Sequence, residues 1–347
     1  MLPHGAVLPC RYKECPVSER SLLRCAVLDD YQGAAHRYAD WSPLEGKVAV
    51  EVFREHIEGE DALVAALKDF DIVMLMRERT PFPRSLIERL PALRLLLTTG
   101  PRNASVDAAA CRDQGVVFCC TRSSGHAAAE LTWALILAHL RHLVLESGNL
   151  RNGGAWQSTE GIELAGKRLG IIGLGRLGTP VAKVGKAFNM EVMAWSRNLD
   201  DARCAAVGAV RAKDMHELLR TSDIVTLQLP LNDGSRGLIG AEELRAMKPT
   251  ALLVNTSRGP IVDESALVQA LREGWIAGAA LDVYDHEPLP ADHPLRTMKN
   301  VLATPHIGYV TAEAYRLFYA DTVENIVAWL EGKPVRVVEP PAPARAG

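Results

Sequence analysis

The chain lacks the features that mark secreted, nucleic-acid-binding and membrane-spanning proteins. Its seven cysteines are odd in number, scattered, and include no Cys-x-x-Cys pair, which argues for reduced thiols in a cytoplasm. The formal net charge of −3 gives no basic excess, so nucleic acid is not an expected partner. The most apolar stretch, residues 127–145, is interrupted by Glu130, His139 and Arg141, so it does not predict a membrane span.

The length of 347 residues exceeds that of a usual single domain and predicts two domains. From residue 24 onward, short apolar segments alternate with segments of helical spacing. The first strands are predicted at 25–28, 48–53, 72–76, 94–98 and 116–119. This βα alternation predicts a parallel sheet of flavodoxin type. Residues 124–145 then predict one long helix, and residues 146–163 predict an irregular arm.

A second group of strands follows in the same alternating pattern. They are predicted at 169–172, 192–195, 224–227, 252–255, 276–281 and 301–303. Six strands suit a complete dinucleotide-binding sheet. Residues 311–330 predict a final helix. We expect residues 1–21, which have prolines and charges where a signal peptide has an apolar core, and the proline-rich residues 340–347 to be disordered.

A glycine-rich turn links the first strand of the second group to a helix. Residues 167–178 read KRLGIIGLGRLG, so an apolar strand meets Gly173, Gly175 and Gly178 directly. The first glycine permits a tight turn, the second lets a pyrophosphate approach the backbone, and the third lets helix and strand pack closely. Amide groups at the start of the helix then face the phosphates. The sequence therefore predicts a dinucleotide-binding site.

Four motifs occur in one order along the chain. They are LAGKRLGIIGLGRLG at 164–178, NTSRG at 255–259, LDVYDHEP at 281–288 and TPHIG at 304–308. Together they resemble the D-isomer-specific 2-hydroxyacid dehydrogenases, and the resemblance extends over about residues 22–335. Within that family the sequence is similar to glyoxylate/hydroxypyruvate reductases and phosphoglycerate dehydrogenases.

The resemblance implies an α/β fold of two doubly wound parallel-sheet domains. A Rossmann nucleotide-binding domain at 124–307 would be inserted in a flavodoxin-like substrate domain formed by residues 1–123 and 308–347. It also implies an NAD(P)-dependent oxidoreductase and a homodimer, in which the long helix and the arm at 146–163 pack against the second subunit.

Reduction of a 2-oxoacid needs a cation for the carboxylate and a proton donor for the carbonyl oxygen. Arg258 follows a predicted buried strand and offers a bidentate fork to a carboxylate. His306 follows another strand and has a side chain suited to acid–base work near neutral pH. Glu287 could hydrogen-bond that imidazole, and the resemblance implies these three roles. A surface ion pair for Arg258 and a structural turn at His306 are the alternatives from residue type alone.

The first domain is expected to supply further contacts to the substrate carboxylate. The resemblance places them at Thr99, Gly100 and Pro101, where proline leaves one N–H fewer than the usual family pattern. Arg77 follows the third predicted strand and would either replace that lost contact or be solvated.

Cofactor choice depends on the end of the second strand of the nucleotide-binding sheet. An acidic residue there favours NAD, but this chain has Ser196 followed by Arg197. The pair resembles the pattern of NADP-dependent glyoxylate/hydroxypyruvate reductases, because an arginine can bind a 2′-phosphate. We therefore expect NADP. The alternative is that Ser196 bonds the ribose while Arg197 points to solvent, which leaves NAD acceptable.

Other cofactor contacts are implied by the family. Asp282 would accept a hydrogen bond from the nicotinamide amide, or instead cap the following turn. The remaining predicted contacts lie in the glycine turn, after two strands and on the linking helix: Arg176, Leu177, Leu229, Pro230, Thr256, Ser257, Arg258 and Thr132.

Other functions and sites compete with this interpretation. A dinucleotide-sensing binding protein of the corepressor kind shares the fold, but retention of arginine, glutamate and histidine disfavours it. Phosphoglycerate dehydrogenase stays open as an alternative, and His286 and His293 compete with His306 as the acid. His139 and His142 have a spacing that suits a metal, but without a third ligand we expect none. The side chain of the 2-hydroxy acid is not specified by these motifs.

Overall fold

The computed structural model describes residues 22–339, and the chain divides into two compact units. Among the described residues, the first unit comprises residues 22–124 and 311–339, and the second comprises Gly125–Val310. The expectation of disorder for residues 1–21 and 340–347 lies outside the described residues. Which unit binds substrate and which binds nucleotide stays a prediction at this stage.

The first unit is built on a five-stranded sheet in which every pairing is parallel. Its strands are β1 (Leu23–Val27), β2 (Val48–Val52), β3 (Ile72–Leu75), β4 (Leu95–Thr98) and β5 (Val117–Cys120). The order β2-β1-β3-β4-β5 is the flavodoxin order, which confirms the predicted sheet type. Every residue of β3 and β4 is buried, as expected of central strands covered by helices on both faces.

The helices of this unit are short, except for the last helix of the chain. They are α1 (Ala35–Tyr38), α2 (Glu60–Leu67), α3 (Arg84–Ile87), α4 (Ala108–Asp113) and α12 (Ala312–Leu330). Two begin with a capping side chain: Asp107 accepts from the amide of Ala110 at 2.8 Å, and Thr311 accepts from the amide of Ala314 at 3.2 Å. These bonds satisfy amides that the first helical turn leaves free.

Contacts between residues far apart in sequence join the N-terminal and C-terminal segments of the first unit. The guanidinium of Arg122 forms an ion pair with Asp321 on α12 at 2.6 Å, and the Arg122 amide donates to the same carboxylate at 2.8 Å. The amide of Val338 donates to the carbonyl of Phe118 at 2.8 Å. The C-terminal segment is therefore fixed to the strand that ends the N-terminal part.

The second unit contains a seven-stranded sheet, again with parallel pairing throughout. Its strands are β6 (Arg168–Ile172), β7 (Glu191–Trp195), β8 (Val210–Arg211), β9 (Ile224–Leu227), β10 (Leu252–Asn255), β11 (Gly278–Leu281) and β12 (Val301–Ala303). The order β12-β11-β10-β9-β6-β7-β8 contains the six-strand dinucleotide-binding order with β12 added at one edge. The predicted Rossmann sheet is confirmed.

Two strand predictions need correction. Strand β8 was not predicted, because both of its residues are exposed and a two-residue edge strand has no apolar pattern. The strand predicted from residue 276 begins at Gly278. The preceding helix ends at Gly274 in the left-handed conformation, so the chain still has to turn before it can pair.

The single helix predicted over 124–145 is also wrong. The second unit contains α5 (Ala127–Leu140), α6 (Leu143–Arg151), α7 (Gly178–Ala187), α8 (Asp201–Ala205), α9 (Met215–Thr221), α10 (Ala241–Ala246) and α11 (Glu264–Glu273). His142 has φ +48°, a left-handed conformation that no continuous helix accommodates, so α5 ends and α6 begins in a new direction. The start of the arm predicted as irregular is thus helical up to Arg151.

Within residues 22–339, no helix taken alone has the length and apolar content needed to cross a membrane. Only α5 and α6 considered together pass such a test, and they are bent by 64° relative to each other.

Hydrophobic side chains pack on both faces of the seven-stranded sheet. Neighbouring residues of one strand, such as Leu253 and Val254, belong to different clusters because successive side chains point to opposite faces. Trp133 of α5 lies in the cluster that contains Val254. The faces are therefore filled with apolar groups, and polar chemistry is confined to the ends of the strands.

We expect Asp321→Asn to destabilise the protein in a pH-dependent way. Burial alone would raise the pKa of Asp321, but the side-chain and backbone hydrogen bonds of Arg122 outweigh it and lower the pKa. The stabilisation is therefore present above the unfolded-state pKa of about 3.9 and is lost as the pH falls through the folded-state value. Urea unfolding should show a variant deficit at pH 7 that shrinks with acidification.

Asp61→Asn is the matched control, because the side chain of Asp61 is 92% exposed and its ion pair with Arg89 lies at the surface. A deficit of Asp321→Asn that stays constant with pH would contradict the ion-pair explanation.

Candidate active site

The candidate residues of the second unit follow strands that end at one edge of its sheet. The register pairs the strand ends in the order Ile172, Leu227, Asn255, Leu281 and Ala303. The strand order reverses between β6 and β9, and ligands of doubly wound sheets bind outside the carboxyl ends of the strands at such a switch point. The loops after these five strands are where the site is expected.

The glycine turn after β6 has the shape that a pyrophosphate needs. Gly173 has φ +104°, and a Cβ added there would lie 2.5 Å from the carbonyl oxygen of Gln228. A Cβ at Gly178 would lie 2.1 Å from the Gly173 carbonyl oxygen, so the helix can approach only because this residue is glycine. A Cβ at Gly175 would meet nothing within 4 Å, which leaves room for a phosphate above the backbone. The turn fits a dinucleotide.

Arg176 and Leu177 lie in the same turn, just before α7. Leu177 occupies the N-cap position of the helix, and its own side chain forms no capping bond. The guanidinium of Arg176 lies close to Gly125, where an added Cβ would be 2.7 Å from Nη1. Contact of Arg176 with the pyrophosphate stays a prediction.

Hydrogen bonds at the end of β10 shape the loop that carries Arg258. The side chain of Asn255 accepts from the amide of Ser257 at 3.0 Å and donates to the carbonyl of Arg258 at 2.9 Å. The hydroxyl of Ser257 donates to the carbonyl of Leu227 on β9 at 2.7 Å. The half-buried Arg258 donates from Nη1 to the carbonyl of Ser257 at 2.6 Å, which holds its guanidinium against the loop.

A cluster of buried polar side chains lies beside this loop. The hydroxyls of Thr132 on α5 and Thr256 are 2.7 Å apart. Nε2 of Gln228 donates to the hydroxyl of Thr226 at 3.0 Å and lies 3.3 Å and 3.4 Å from those of Thr132 and Thr256. Thr132 and Thr256 were predicted as cofactor contacts from the sequence, whereas Gln228 was not. The available signal was a polar residue directly after a buried strand.

His306 and Glu287 are brought together by the loops after β11 and β12. Nδ1 of His306 lies 2.5 Å from Oε2 of Glu287, and the amide of Tyr284 donates to Oε1 at 2.9 Å. The two side chains are 18% and 27% exposed, so the pair is accessible without being fully solvated. The ring of Tyr309 meets the imidazole edge-on with centroids 5.7 Å apart. The remaining nitrogen, Nε2, can exchange a proton with a ligand.

The two competing histidines are placed differently. His293 forms an ion-pair contact with Glu264, with Nε2 and Oε1 3.2 Å apart, and accepts from the amide of Leu295 through Nδ1 at 3.4 Å. His286 is exposed to solvent. The ring of His306 contacts Glu287, which is the glutamate that the order of the motifs predicts as its partner.

Asp282 fixes the turn on which His306 stands. This buried carboxylate accepts from the hydroxyl of Thr304 at 2.6 Å and from the amides of Ile307 and Gly308 at 2.8 Å each. His306 has φ +51°, which costs energy for a residue with a side chain and needs such support. The capping role left open by the sequence is therefore present.

Burial raises the pKa of Asp282, and these donors oppose that rise. An ionised carboxylate has about four acceptor positions, and three are used here. Contact of Asp282 with the nicotinamide amide stays a prediction.

Ser196 and Arg197 follow β7, as the sequence analysis placed them. Ser196 is half-buried, and Nη2 of Arg197 donates to the carbonyl of Gly234 at 2.7 Å. Gly234 in turn donates to Oδ1 of Asn232 at 3.0 Å. The exposed guanidinium is thus anchored on the loop after β9, a contact that neither interpretation of Arg197 included.

Leu229 and Pro230 begin that same loop. The carbonyl of Pro230 accepts from the hydroxyl of Ser235 at 2.7 Å, and Leu229 packs against the glycine turn, where a Cβ at Gly173 would lie 2.8 Å from Cδ2. Their contact with a cofactor stays a prediction.

In the first unit, the loops after β3 and β4 bring Arg77, Thr99 and Gly100 together. Nη1 of Arg77 donates to the carbonyl of Thr99 at 3.0 Å, and a Cβ at Gly100 would lie 1.8 Å from this nitrogen. The amide of Gly100 donates to the hydroxyl of Thr121 at 2.7 Å, and Pro101 is exposed. The polar groups expected to meet substrate therefore have partners within the unit.

The two histidines with metal-like spacing have a structural environment. His139 packs against β11, where a Cβ at Gly278 would lie 2.6 Å from Nε2, and burial together with the nearby His142 lowers the pKa of His139 to about 4. Across residues 22–339, no group of three or more histidine, cysteine or carboxylate side chains is arranged to hold a metal ion.

Comparisons with known proteins agree with this geometry. Residues 133–308 match the model of the D-isomer specific 2-hydroxyacid dehydrogenase NAD binding domain. A glyoxylate reductase of Aeropyrum pernix is 42% identical over 259 residues, which cover 72% of this chain and 76% of the relative. A glyoxylate reductase of Pyrococcus furiosus is 36% identical over 301 residues, with 84% and 88% covered.

A solved phosphoglycerate oxidoreductase from Vibrio cholerae superposes with a TM-score of 0.85 at 36% identity, covering 89% of this chain and 99% of that one. The chain therefore belongs to the D-isomer-specific 2-hydroxyacid dehydrogenases, oxidoreductases that act on 2-hydroxy acids with a nicotinamide dinucleotide.

Proposed function

We propose that this enzyme interconverts a small 2-oxoacid and its D-2-hydroxy acid, with Arg258 binding the carboxylate and His306 and Glu287 forming the acid–base pair. The observation that carries the proposal is the 2.5 Å contact between His306 and Glu287, on the sheet edge from which Arg258 also extends. The dinucleotide, when bound, supplies or accepts a hydride at nicotinamide C4. The side chains of the protein bind the substrate carboxylate and transfer the proton.

Arg258 suits a carboxylate because a guanidinium presents two parallel N–H groups in one plane. One of its nitrogens is held by the carbonyl of Ser257, which fixes the side chain before substrate arrives. Binding therefore costs less side-chain entropy than it would with a freely rotating arginine.

His306 suits proton transfer because Glu287 engages one ring nitrogen and leaves the other for the substrate oxygen. A hydrogen bond from Nδ1–H to the carboxylate defines the ring orientation and places the transferable proton on Nε2. The ring that carries a proton on both nitrogens is the form that donates a proton to the substrate oxygen during reduction. Oxidation would use the neutral ring as the base.

We expect His306→Asn to lower kcat for oxoacid reduction by roughly 10²–10⁴-fold, the usual contribution of a general acid. Following the loss of reduced-cofactor absorbance with glyoxylate, hydroxypyruvate and phenylglyoxylate measures this. His293→Asn is the matched control, because its ring contacts Glu264 instead. A small loss for His306→Asn with a large loss for His293→Asn would reassign the acid.

The named relatives support a small oxoacid as substrate, since two of them are glyoxylate reductases. The phosphoglycerate oxidoreductase neighbour keeps phosphoglycerate as a second candidate. A corepressor-like binding protein would have no use for the held histidine–glutamate pair. Absence of turnover with every 2-oxoacid tested would favour that alternative.

The proposed cofactor is NADP in preference to NAD. Arg197 is exposed and anchored on Gly234, and a guanidinium with five donors retains several for a 2′-phosphate. The adjacent Ser196 carries no charge that would repel that phosphate.

We expect Arg197→Ala to weaken NADPH binding by about tenfold, the size of one charge-assisted contact, while NADH binding changes little. Titration of both cofactors by calorimetry measures this. Arg112→Ala is the control, because that exposed guanidinium lies in the first unit and forms an ion pair with Asp113. Equal losses for the two cofactors would reject the phosphate assignment.

The proposed assembly is a homodimer formed through α6 and the arm that follows it. Large apolar side chains are exposed here: Leu143, Val144, Leu145, Leu150, Trp156 and Ile162. Leu150 and Trp156 are 67% and 78% exposed, and a concentration of exposed apolar side chains in one segment indicates an interaction site. We further propose a cytoplasmic location, supported by the free thiols of Cys25, Cys111 and Cys119.

We expect Leu150→Glu to convert a dimer to a monomer, because a charge would be buried in the apolar contact. Light scattering after gel filtration at micromolar concentration measures the mass. Val210→Glu is the matched control, since that side chain is 63% exposed on β8. An unchanged mass for Leu150→Glu would place the dimer contact elsewhere.

A further inference from the structure

The side-chain amide of Gln228 is buried and only half satisfied. Gln228 is 7% exposed, and its Nε2 faces three threonine hydroxyls. Its Oε1 is buried and has no hydrogen-bond partner among residues 22–339. A buried acceptor without a donor is costly, so such an atom beside a predicted ligand site indicates a donor that arrives with a ligand.

The hydroxyl protons of Thr132 and Thr256 favour one orientation of the side-chain amide of Gln228. Thr132 donates its proton to the carbonyl of Ala128 at 2.8 Å, so the 2.7 Å contact between Thr132 and Thr256 uses the proton of Thr256. Both hydroxyls then offer only lone pairs to Gln228, which suits its NH₂ group. Turning the amide over would place Oε1 against these lone pairs. The carbonyl oxygen is therefore the group left for a ligand.

Gln228 stands between the two halves of the predicted dinucleotide site. It directly follows β9, its amide donates to the carbonyl of Ile172 at 2.8 Å, and Gly173 packs on its carbonyl. On one side is the glycine turn, which fits the pyrophosphate. Thr256 and Asp282 follow the next two strands on the other side of Gln228. That side is where the nicotinamide half of the dinucleotide is predicted to bind.

We propose that Oε1 of Gln228 accepts a hydrogen bond from a hydroxyl of the nicotinamide ribose. That ribose is the part of a dinucleotide that joins pyrophosphate to nicotinamide, which matches the place of Gln228 between Gly173 and Asp282. Ribose hydroxyls are donors, as an unpartnered amide oxygen requires. The inference rests on the dinucleotide site of the proposed function and is independent of which oxoacid is reduced.

The same amide then links cofactor binding to the loop of Arg258. Nε2 of Gln228 contacts Thr256, two residues before Arg258, and Oε1 contacts the ribose. A ligand that donates a hydrogen bond to Oε1 also fixes the plane of the side-chain amide. The threonine hydroxyls that accept from Nε2 are then held in place as well. Gln228 is thus a cofactor-binding residue that also positions the loop of the carboxylate-binding arginine.

The test uses Gln228→Leu and Gln228→Met, two apolar side chains that lack the acceptor. Calorimetry would measure binding of ADP, ADP-ribose, NAD and its 3-acetylpyridine analogue, or the 2′-phosphates of these ligands for an NADP-specific protein. ADP lacks the second ribose, and the acetylpyridine analogue keeps that ribose but lacks the carboxamide NH₂. Gln269→Leu on the exposed face of α11 is the control.

We expect both variants to weaken ADP-ribose, NAD and the analogue by about tenfold while ADP binding is retained. Equal loss for ADP and ADP-ribose would mean general damage to the site and overturn the inference, as would no loss at all. Loss for NAD without loss for the analogue would assign Oε1 to the carboxamide and overturn the ribose contact. Turnover of wild-type enzyme with oxoacids is assayed separately, so failure of the proposed reaction does not affect this outcome.

Discussion

Parallel pairing in register is the constraint on which the site depends. Because every connection in the seven-stranded sheet crosses back along a face, the ends of β6, β9, β10, β11 and β12 lie at one edge, and the residues after them form a row. The faces are closed by apolar clusters, so this edge is the place where polar groups of the sheet are free to meet a ligand. Glycine turn, amide cluster, arginine loop and histidine turn all follow from that geometry.

Two loops in the row are held by a polar residue at the end of the strand or directly after it. Asn255 folds the loop of Arg258, and Asp282 folds the turn of His306. The functional side chains come later in each loop and are held indirectly. This separation of holding and reacting groups lets a carboxylate-binding arginine and an acid–base histidine stand ready without being buried themselves.

The sequence predicted the sheets better than the details of the loops. Apolar periodicity and the glycine turn were sufficient for both sheet types, because they depend on burial and on backbone room at Gly173 and Gly178. It missed β8, whose residues are exposed, and the break at His142, whose left-handed backbone has no composition signal. Gln228 was missed because a single polar residue after a strand has no pattern of its own. The anchoring of Arg197 on Gly234 joins residues 37 apart and cannot be read from spacing.

Asp282 and Gln228 are two buried hydrogen-bond acceptors at the ends of neighbouring strands. The number of donors that each one receives from the protein distinguishes a structural residue from a ligand-binding one. Asp282 receives three donors from its own turn, so most of its role is complete in the folded chain. The NH₂ group of Gln228 donates to threonine hydroxyls, whereas its carbonyl oxygen accepts no hydrogen bond from any described residue. Folding alone would favour an apolar side chain at that place, since an unmet buried carbonyl costs free energy. Its presence at the edge where the strand order reverses is therefore best explained by a donor that residues 22–339 do not supply.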